Sequence, residues 1–556
     1  MLNTVFETRK KIAVVLFFSL LFLIGLSIFD DYGISWDEYS HRYMGIVAAV
    51  YVNQLFDFIP TAEILKFGGG LRPDFPALED FAYRNYGVCL EMILVGIEFV
   101  FKLTESRQLY LVRHFATFMV FFFGVILFYL TIFQVFNNRT LAIVGCVLLI
   151  VSPRIFAHSF YDLKDIAPMT LFVASIYTLV RCLETQRATM IMLHALSIAL
   201  FIDTRIAGIF LPFVSLLFMG LGFIKNYLQN EPQARLTRNC ILFIGWLLLF
   251  VYLLWPYLWA DPIGRFLSAI FNMSDFAEQY DYNAQMIYMG EFISVRDVPW
   301  HYLPVWILIT TPVLYSLLFV VGTFTILCQL VRAPRLLLTD STERFGALVL
   351  LLFYGPIIGV IATSSMLLDG WRHLYFCYPA FLLVGLTGLE YIRKLPQQKI
   401  GPIKGRLKRR VGIVIIVVAV GGTATNMVIN HPYQNVYFNV LAGTDIEKNW
   451  ELDYWGVSFR QGLEYVLAYD DSPEINVSVS SEPGETNLKI LKKKDRNRVN
   501  IVEEHQAKYH LSNYRYQKEY KRLQQSKPPS DNEIFHIEVI SMFDKYRIMG
   551  VYRVDH

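Results

Sequence analysis

Residues 12–42 read IAVVLFFSLLFLIGLSIFDDYGISWDEYSHR. The run over 12–29 carries no charged side chain, and its length is near the ~20 residues that an apolar helix needs to cross a bilayer. Residues 30–42 follow directly and hold four carboxylates, aromatic residues, a histidine and an arginine. The sequence therefore predicts a membrane helix that ends at Phe29 and a polar segment at the membrane boundary. Acidic residues in such a place are either a solvated loop or part of a functional site.

Composition places the whole chain in the membrane class. Its 556 residues are 55% hydrophobic and only 17% charged, with a mean hydropathy of +0.41, whereas soluble domains carry about 25% charged residues. No nucleic-acid-binding motif is visible, so nucleic acid is not an expected partner. The six cysteines lie in or beside apolar segments without metal-ligand spacing, which argues against a disulfide framework or a zinc site. The first apolar run lacks a small-x-small cleavage site, so we expect a retained signal anchor.

Apolar runs that suit membrane helices recur as far as residue 429. They cover about 12–29, 112–136, 140–157, 166–182, 189–201, 206–223, 240–258, 303–330, 345–365, 374–392 and 411–429. We therefore predict an all-α polytopic membrane protein with about eleven transmembrane helices.

Segment 87–103 is apolar but carries Glu91, Glu98 and Lys102. The two glutamates share one helical face because they are seven residues apart. A carboxylate at the middle of the bilayer costs roughly 2.5–3.5 kcal/mol. We expect this segment to be a juxtamembrane helix of the first external loop, lying along the membrane surface or packed within the protein.

The distribution of Lys and Arg sets the predicted orientation. If 87–103 does not cross the membrane, the loops on the side of the N-terminus carry the basic excess, most strongly 393–410 with eight Lys/Arg and no acid. The positive-inside rule then places the N-terminus in the cytosol and the C-terminus outside. The polar clusters gather on the external side, among them 30–86, 158–165 and 369–373. We expect a multi-pass protein of the cell (inner) membrane.

The composition becomes soluble after about residue 470. Alternating stretches at 475–480, 534–540 and 547–553 predict strands, and 504–525 predicts a polar helix. We expect three regions in chain order: a transmembrane domain over 1–430, an external linker or juxtamembrane segment over 431–469, and a small soluble extracytoplasmic α/β domain over 470–556.

Asp37 and Glu38 are the candidate catalytic residues of the first loop. When a hydroxyl attacks the anomeric carbon of a sugar with inversion, one carboxylate must take up the hydroxyl proton. Adjacent residues in a loop point in different directions. One carboxylate could therefore act on the acceptor while its neighbour orients it or holds a cation.

A second polar cluster lies where the apolar run 140–157 breaks at Pro153. It contains His158, Asp162, Lys164 and Asp165. Ionisable residues at a broken membrane helix mark a functional site by default. The simpler explanation is that Lys164 and Asp165 anchor a helix at the interface. The sequence leaves open whether Asp162 or Asp165 is the second acid.

Two arginines are candidate phosphate ligands. Arg372 lies in the motif 369–373 at the start of a helix, and Arg205 follows Asp203-Thr204 between two apolar runs. A guanidinium group suits bidentate phosphate binding. Taken alone, either arginine is equally explained as a side chain that snorkels to the interface.

Together these motifs resemble the GT-C membrane glycosyltransferases. The first-loop motif Asp37-Glu38-Tyr39-Ser40-His41, the acidic site after a Ser-Pro break, the Thr-Arg hairpin and the late Arg-His are similar to the protein O-mannosyltransferase and lipid A aminoarabinose transferase superfamily. Segments 431–439 (HPYQNVYFN) and 450–456 (WELDYWG) are similar to bacterial dolichyl-phosphate-mannose-protein mannosyltransferase-like proteins. The resemblance covers residues 10–460.

The resemblance implies an inverting transfer of a sugar from a polyprenyl-phosphate donor, bound together with membrane lipid in the outer leaflet, to a glycan, lipid or protein acceptor. It implies that Asp37 is the general base, Glu38 its partner and Asp165 the second-loop acid. Substrate-binding roles fall on His41, His158, Asp162, Lys164, Arg205, Arg372 and His373.

The resemblance also has departures. Arg205 stands where relatives often have Lys, and the C-terminal domain does not resemble the beta-trefoil insert of the eukaryotic mannosyltransferases. Metal dependence varies within the fold. We expect no required metal or other cofactor, although the fold is compatible with a divalent cation.

A transporter or flippase of lipid-linked saccharides is the alternative from another class. It would place paired charges at mid-membrane, in broken helices from both halves of a repeat. Here the ionisable groups are expected at one face, and no repeat is visible. A receptor or scaffold is a third alternative, and it would leave the first-loop carboxylates dispensable.

Overall fold

A computed structural model describes residues 2–58, 76–274, 284–394, 402–525 and 532–554. The predicted loops 30–86 and 393–410 each contain residues that lie outside the described ones, namely 59–75 and 395–401, and so does the stretch between the apolar runs 240–258 and 303–330, namely 275–283. The helices up to the middle of the chain are α1 Leu2–Ile28, α2 Glu38–Phe56, α3 Cys89–Val100, α4 Ser106–Phe136, α5 Arg139–Ile150, α6 Pro153–Tyr161, α7 Leu163–Thr185, α8 Ala188–Thr204, α9 Phe210–Leu228, α10 Ala234–Leu254 and α11 Pro262–Ser274.

The second half adds both helices and strands. Its helices are α12 Tyr302–Thr310, α13 Val313–Arg332, α14 Leu336–Thr339, α15 Ser341–Ala362, α16 Tyr378–Lys394, α17 Pro402–Ile429, α18 Ile446–Asn449, α19 Phe459–Tyr469, α20 Glu482–Thr486, α21 Lys493–Arg496 and α22 Gln517–Gln525. The strands are β1 Gln285–Tyr288, β2 Glu291–Ser294, β3 Ile475–Val479, β4 Val499–Ile501, β5 Tyr509–Ser512, β6 Glu533–Ile540 and β7 Lys545–Arg553.

The apolar helices form a multi-pass membrane bundle. Within the described ranges, eight helices are long and apolar enough to cross a bilayer, and the pair α5 and α6 forms a ninth, bent candidate. Two shorter apolar helices lie at Ala188–Thr204 and Val414–Ile429. These helices account for all the apolar runs found in the sequence. The predicted fold class, an all-α membrane protein with a small C-terminal α/β domain, is confirmed.

Proline residues divide two of the predicted runs. The run 140–157 is bent by 71° between α5 and α6, and α6 begins at Pro153, which has no N–H to donate to the preceding turn. The run 303–330 is split into α12 and α13 because Pro312 stands between them. Both interruptions turn part of an apolar segment towards the polar side chains described below.

Helix α3 explains the carboxylates of segment 87–103. Its 12 residues span about 18 Å, which is too short for a ~30 Å hydrocarbon layer. Glu98 lies 2.7 Å from Arg113 and 3.0 Å from Arg42, and Glu91 lies 2.7 Å from Arg113. The helix therefore packs within the protein as a juxtamembrane element, with its acidic face paired to arginines of α2 and α4.

The C-terminal domain contains a five-stranded sheet. Its strand order is β4-β3-β5-β7-β6, with β3 parallel to both β4 and β5 and the remaining pairs antiparallel. The predicted strands at 475–480, 534–540 and 547–553 are present. The predicted helix over 504–525 is wrong over most of its length, because residues 509–512 form the buried strand β5, 504–506 form only a short 3₁₀ turn and 517–525 alone are α-helical.

The backbone of the first loop is held by the C-terminal domain and by the segment 431–469 that precedes it. Asn487 accepts the N–H of Ile34 and donates to its carbonyl oxygen, both at 2.9 Å. Trp36 donates its N–H to the carbonyl oxygen of Trp455 at 3.1 Å. A Cβ at Gly33 would lie 2.3 Å from a backbone oxygen, so only glycine fits this close approach.

Candidate active site

Asp37 and Glu38 stand at the start of α2, but their carboxylates have different surroundings. The Asp37 side chain is 33% exposed, and its Oδ2 lies 3.3 Å from Nη1 of Arg372. Glu38 is buried, accepts the backbone N–H of Ser35 at 2.7 Å and lies 3.1 Å from Nε2 of His114. Glu38 therefore holds the loop in place, whereas solvent can reach Asp37.

Arg372 is the centre of the carboxylate cluster. Besides Asp37, it lies 3.9 Å from Asp165 and 3.2 Å from Asp369. Its guanidinium carbon is 4.5 Å from the ring centre of Trp455. Its Nε is buried without a hydrogen-bond partner among the described residues. One guanidinium group therefore brings the first-loop acid and the second-loop acid within 4 Å of the same charge.

The bend between α5 and α6 brings the second polar cluster to this place. Asp162 accepts the backbone N–H of Asp165 at 3.2 Å and so caps α7. Asp165 is buried and pairs with Arg205 through one oxygen. Its other oxygen has no hydrogen-bond partner within the part of the chain that the structure describes. Of the two acids that the sequence left open, Asp165 is the one that faces the arginines.

His158 has both ring nitrogens engaged. Its Nε2 accepts the indole N–H of Trp455 at 3.1 Å, and its Nδ1 lies 3.2 Å from Asp162. Nδ1 must therefore carry the proton and donate it to the Asp162 carboxylate, which fixes the tautomer and the ring orientation.

His158, Asp162 and Asp165 are also the candidate metal ligands. Their ligand atoms lie within 4.8 Å of one another. Among the described residues they are the one set of three His, Cys, Asp or Glu side chains close enough to share a metal ion. A metal needs a free imidazole lone pair, but the indole N–H of Trp455 occupies that of Nε2. His158 therefore offers no lone pair in this arrangement, and the three side chains do not fit a three-ligand metal site.

The remaining predicted substrate-binding residues lie behind this cluster. Arg205 donates to the carbonyl oxygen of His373 at 2.9 Å, and Nζ of Lys164 donates to the carbonyl oxygen of Gly87 at 3.3 Å. Burial, helped by the charge of Lys164, lowers the pKa of His41 to about 3. The imidazole of His41 is therefore neutral at physiological pH.

Two charged residues near the site escaped the sequence analysis. Arg515 donates to Asp369 at 2.8 Å, lies 3.3 Å from Glu451 and has its guanidinium carbon 4.9 Å from the ring centre of Trp36. Burial raises the pKa of Glu451 to about 7. The signal for Glu451 was present in the acidic, aromatic stretch 450–456, but nothing in the sequence indicated its position next to the first loop.

No family model matches the chain, and no curated protein matches it. Among solved structures it is similar to the archaeal oligosaccharyltransferase AglB from Archaeoglobus fulgidus in complex with an inhibitory peptide and a dolichol-phosphate. That likeness has 12% identity and a TM-score of 0.47, and covers 91% of this chain and 70% of the other.

The chain is also similar to ArnT from Cupriavidus metallidurans. The apo structure of ArnT gives 11% identity, coverage of 97% of both chains and a TM-score of 0.47. The structure bound to undecaprenyl phosphate gives 13% identity, the same coverage and a TM-score of 0.44. AglB and ArnT are GT-C glycosyltransferases, the superfamily that the sequence motifs resemble. At identities of 11–13% and TM-scores below 0.5, the chemistry of this chain has to be argued from its own side chains.

Proposed function

We propose that this chain is an inverting glycosyltransferase that moves a hexosyl or pentosyl group from a polyprenyl-phosphate donor to an extracytoplasmic acceptor. The observation that carries the proposal is the exposure of Asp37. Of the three carboxylates around Arg372, Asp37 is 33% exposed, whereas Asp165 and Asp369 are 0% and 6% exposed. A general base must be reached by the acceptor hydroxyl, and Asp37 is the one of the three that is open.

The reaction follows from this placement. Asp37 takes the proton of the acceptor hydroxyl while the acceptor oxygen forms a bond to the anomeric carbon. The bond from that carbon to the phosphate oxygen breaks on the opposite face, so the configuration inverts. Polyprenyl phosphate leaves with the electron pair of this bond, and Asp37 later returns its proton to solvent.

Arg372 and Arg205 are the proposed partners of the leaving phosphate. Charge that develops on a leaving group is best stabilised by donors that are already held in place. Asp165 lies between the two guanidinium groups and pairs with Arg205 while it approaches Arg372. The Nε of Arg372, which has no hydrogen-bond partner among the residues that the structure describes, and the guanidinium group of Arg205, whose side chain is 17% exposed, leave donors for phosphate oxygens.

The other predicted residues take supporting roles in this proposal. Glu38 holds the first loop through Ser35 and His114. His158 and Asp162 orient the end of α6, and Lys164, His373 and neutral His41 complete the polar wall. The expected transmembrane, linker and extracytoplasmic regions divide these tasks, with the transmembrane region supplying most of the site.

The orientation belongs to the same proposal. The basic residues predicted on the cytosolic side favour an N-terminus in the cytosol and a C-terminal domain outside the cell (inner) membrane. The donor would then enter from the outer leaflet, and the acceptor, a glycan, lipid or protein, from the external aqueous phase.

A flippase of lipid-linked saccharides is the second candidate. The observation that favours it is the broken helix pair α5 and α6, bent by 71°, with ionisable residues at its end. Broken helices of this kind form the central sites of many transporters. A flippase, however, gives no role to an exposed first-loop carboxylate.

Purified full-length protein separates the two candidates. It is reconstituted in vesicles with synthetic polyprenyl-phosphate hexoses and pentoses and a hydroxyl acceptor. A transferase releases polyprenyl phosphate and forms a glycoside whose anomeric configuration, determined by NMR, is opposite to that of the donor. Movement of intact donor across the bilayer without cleavage would instead support the flippase.

Asp31→Asn is the matched control for the first loop. Asp31 is also a carboxylate of this loop, but it is 45% exposed and pairs with His431 at 2.8 Å. The control should retain transfer, whereas Asp37→Asn should lose it. Equal rates for the wild type and Asp37→Asn would overturn the assignment of the base.

A further inference from the structure

The C-terminal domain contains a cleft of about 630 Å³. We call it the β3–β4 cleft because Ser478 and Ser480 line it at the end of β3, and Glu503 and Gln506 line it after β4. Strand β3 lies between β4 and β5 and is parallel to both. Crevices at the carboxyl ends of such strands are the usual ligand sites of open α/β sheets.

The floor of the cleft is a hydrogen-bonded chain of three side chains. The hydroxyl of Ser478 lies 2.9 Å from Nδ1 of His510, and Nε2 of His510 lies 3.2 Å from Glu519. Each of the three residues is at most 4% exposed. Since the carboxylate of Glu519 accepts from Nε2, Nδ1 accepts from the hydroxyl of Ser478. These two hydrogen bonds fix all three side chains before any ligand arrives.

This hydrogen-bonded chain supports the cleft from below and is too buried to act as a nucleophile. Ser478 is a residue of β3 with 3% exposure, so its hydroxyl cannot approach an electrophile of any size. The hydrogen bonds instead link β3, β5 and α22, so the side chains at the surface of the cleft are held in place before a ligand binds.

The charges around the cleft select against anions. Three carboxylates line it, those of Glu503, Glu504 and Glu519. Lys518 is the one lysine or arginine among the lining residues. Lys518 and Arg522 hold Glu504 and lower its pKa to about 2, so this carboxylate is ionised. Since Glu504 and Glu519 are paired with Lys518 and Arg522, Glu503 supplies the excess negative charge of the lining. A phosphate or an acidic peptide would meet this like charge, whereas a hydroxyl group can donate to it.

The rim adds an aromatic ring that leads towards the candidate active site. Tyr516 lines the cleft, and its ring centre is 6.5 Å from that of Trp36. Trp36 precedes Asp37 in the chain. The aromatic rim of the cleft is therefore in contact with the first loop.

From these observations we infer that the β3–β4 cleft binds a neutral saccharide portion of the acceptor. The inference rests on the proposed transferase function and names the acceptor class for the same site. The carboxylate of Glu503 and the amide of Gln506 line the cleft as hydrogen-bonding groups, and the ring of Tyr516, which is 48% exposed, adds one aromatic face.

Titration of the full-length protein in detergent with neutral di- and trisaccharides of hexose and N-acetylhexosamine tests this inference. Tyr516→Ala and Gln506→Ala should each weaken saccharide binding by about tenfold, the equivalent of one lost contact. Glu474→Gln, at the opposite end of β3, is the matched control and should bind like the wild type. In a transfer assay, Tyr516→Ala should raise the KM for the acceptor.

Three results would overturn the inference. They are the absence of saccharide binding, equal binding by the wild type and both cleft variants, and preferential binding of a phosphorylated peptide probe. Saccharide binding that depends on Tyr516, in a protein that transfers no sugar, would leave the cleft assignment standing and refute the proposed function. Normal transfer with an unchanged acceptor KM in both variants would refute the cleft assignment and leave the proposed function standing.

Discussion

The protein contains two clusters of arginines and carboxylates that differ in exposure. In one, Glu91 and Glu98 of α3 pair with Arg42 and Arg113, and all four side chains are at most 6% exposed. In the other, the carboxylates around Arg372 include Asp37, which is 33% exposed. The first cluster joins helices within the protein. The second presents one carboxylate to solvent, and this difference separates a structural ion-pair network from a candidate catalytic site.

The largest expected effect belongs to the open cluster. Asp37→Asn keeps the shape of the side chain and removes its basic charge, so kcat for transfer should fall by about 10²–10⁴, the usual contribution of a general base. The temperature of unfolding in detergent should stay near that of the wild type. A large loss of thermal stability would instead place Asp37 with the structural cluster.

The buried cluster should respond in the opposite way. Glu98→Gln removes the carboxylate that Arg42 and Arg113 share, while Arg113 keeps its pair with Glu91, and breaking a buried ion pair costs about 3–5 kcal/mol of stability. Chemical unfolding in mixed micelles would measure this loss, while kcat per folded molecule should change little. The matched control is Glu79→Gln, because Glu79 is 49% exposed beside Arg265 and exposed pairs contribute about 0–1 kcal/mol.

Arg372→Ala should give a smaller effect, on the donor. Loss of the guanidinium group removes a proposed phosphate partner and should weaken binding of polyprenyl phosphate by about tenfold or more. Arg372→Lys should recover part of this affinity, since it restores the charge but not the planar fork. Binding is measured by titration with polyprenyl phosphate, and unchanged affinity in Arg372→Ala would remove Arg372 from the donor site.

The smallest expected effect is a pH dependence at Glu451. Because burial raises its pKa from 4.5 to about 7, the folded protein holds a proton that the unfolded chain releases between these values. Its contribution to stability is therefore present below pH 4.5 and is lost as the pH rises towards 7. The unfolding temperature of the wild type minus that of Glu451→Gln should fall over this range.

Taking this difference removes the contribution of other groups. The lowered pKa of His41 acts in the opposite direction below its ordinary value, but it is present in both proteins. A difference that stays constant from pH 4.5 to 7 would show that Glu451 is ionised throughout.

The sequence predicted the membrane fold well because the bilayer imposes a strong constraint. Each apolar run had to become a helix, since no other element satisfies its backbone in lipid. The same constraint made two exceptions recognisable in the sequence. Pro153 interrupts one apolar run, and segment 87–103 carries carboxylates that a membrane-spanning helix would not tolerate at its centre. The helix predicted over 504–525 was wrong because residues 509–512 are buried as a strand between β3 and β7, and local polarity does not report such pairing.

The candidate site was only partly predictable. The motifs named Asp37, Asp165, Arg205 and Arg372, which the structure brings together. Arg515 was missed because its approach to Asp369 joins residues 146 positions apart, a relation that no local pattern encodes. The sequence predicted only that the side chains of Asp37 and Glu38 point in different directions. It could not show that Glu38 is the buried one, because its partner His114 of α4 lies 76 residues further on.

The bond between Ile34 and Asn487 spans 453 residues, and this has a consequence for biosynthesis. At roughly 5–20 residues per second, the ribosome reaches Asn487 on the order of a minute after the first loop has been made. Until then, the two hydrogen bonds that Asn487 forms with the backbone of Ile34 cannot form. The first loop therefore takes up its final contacts only late in synthesis, although its own residues are among the first to be made.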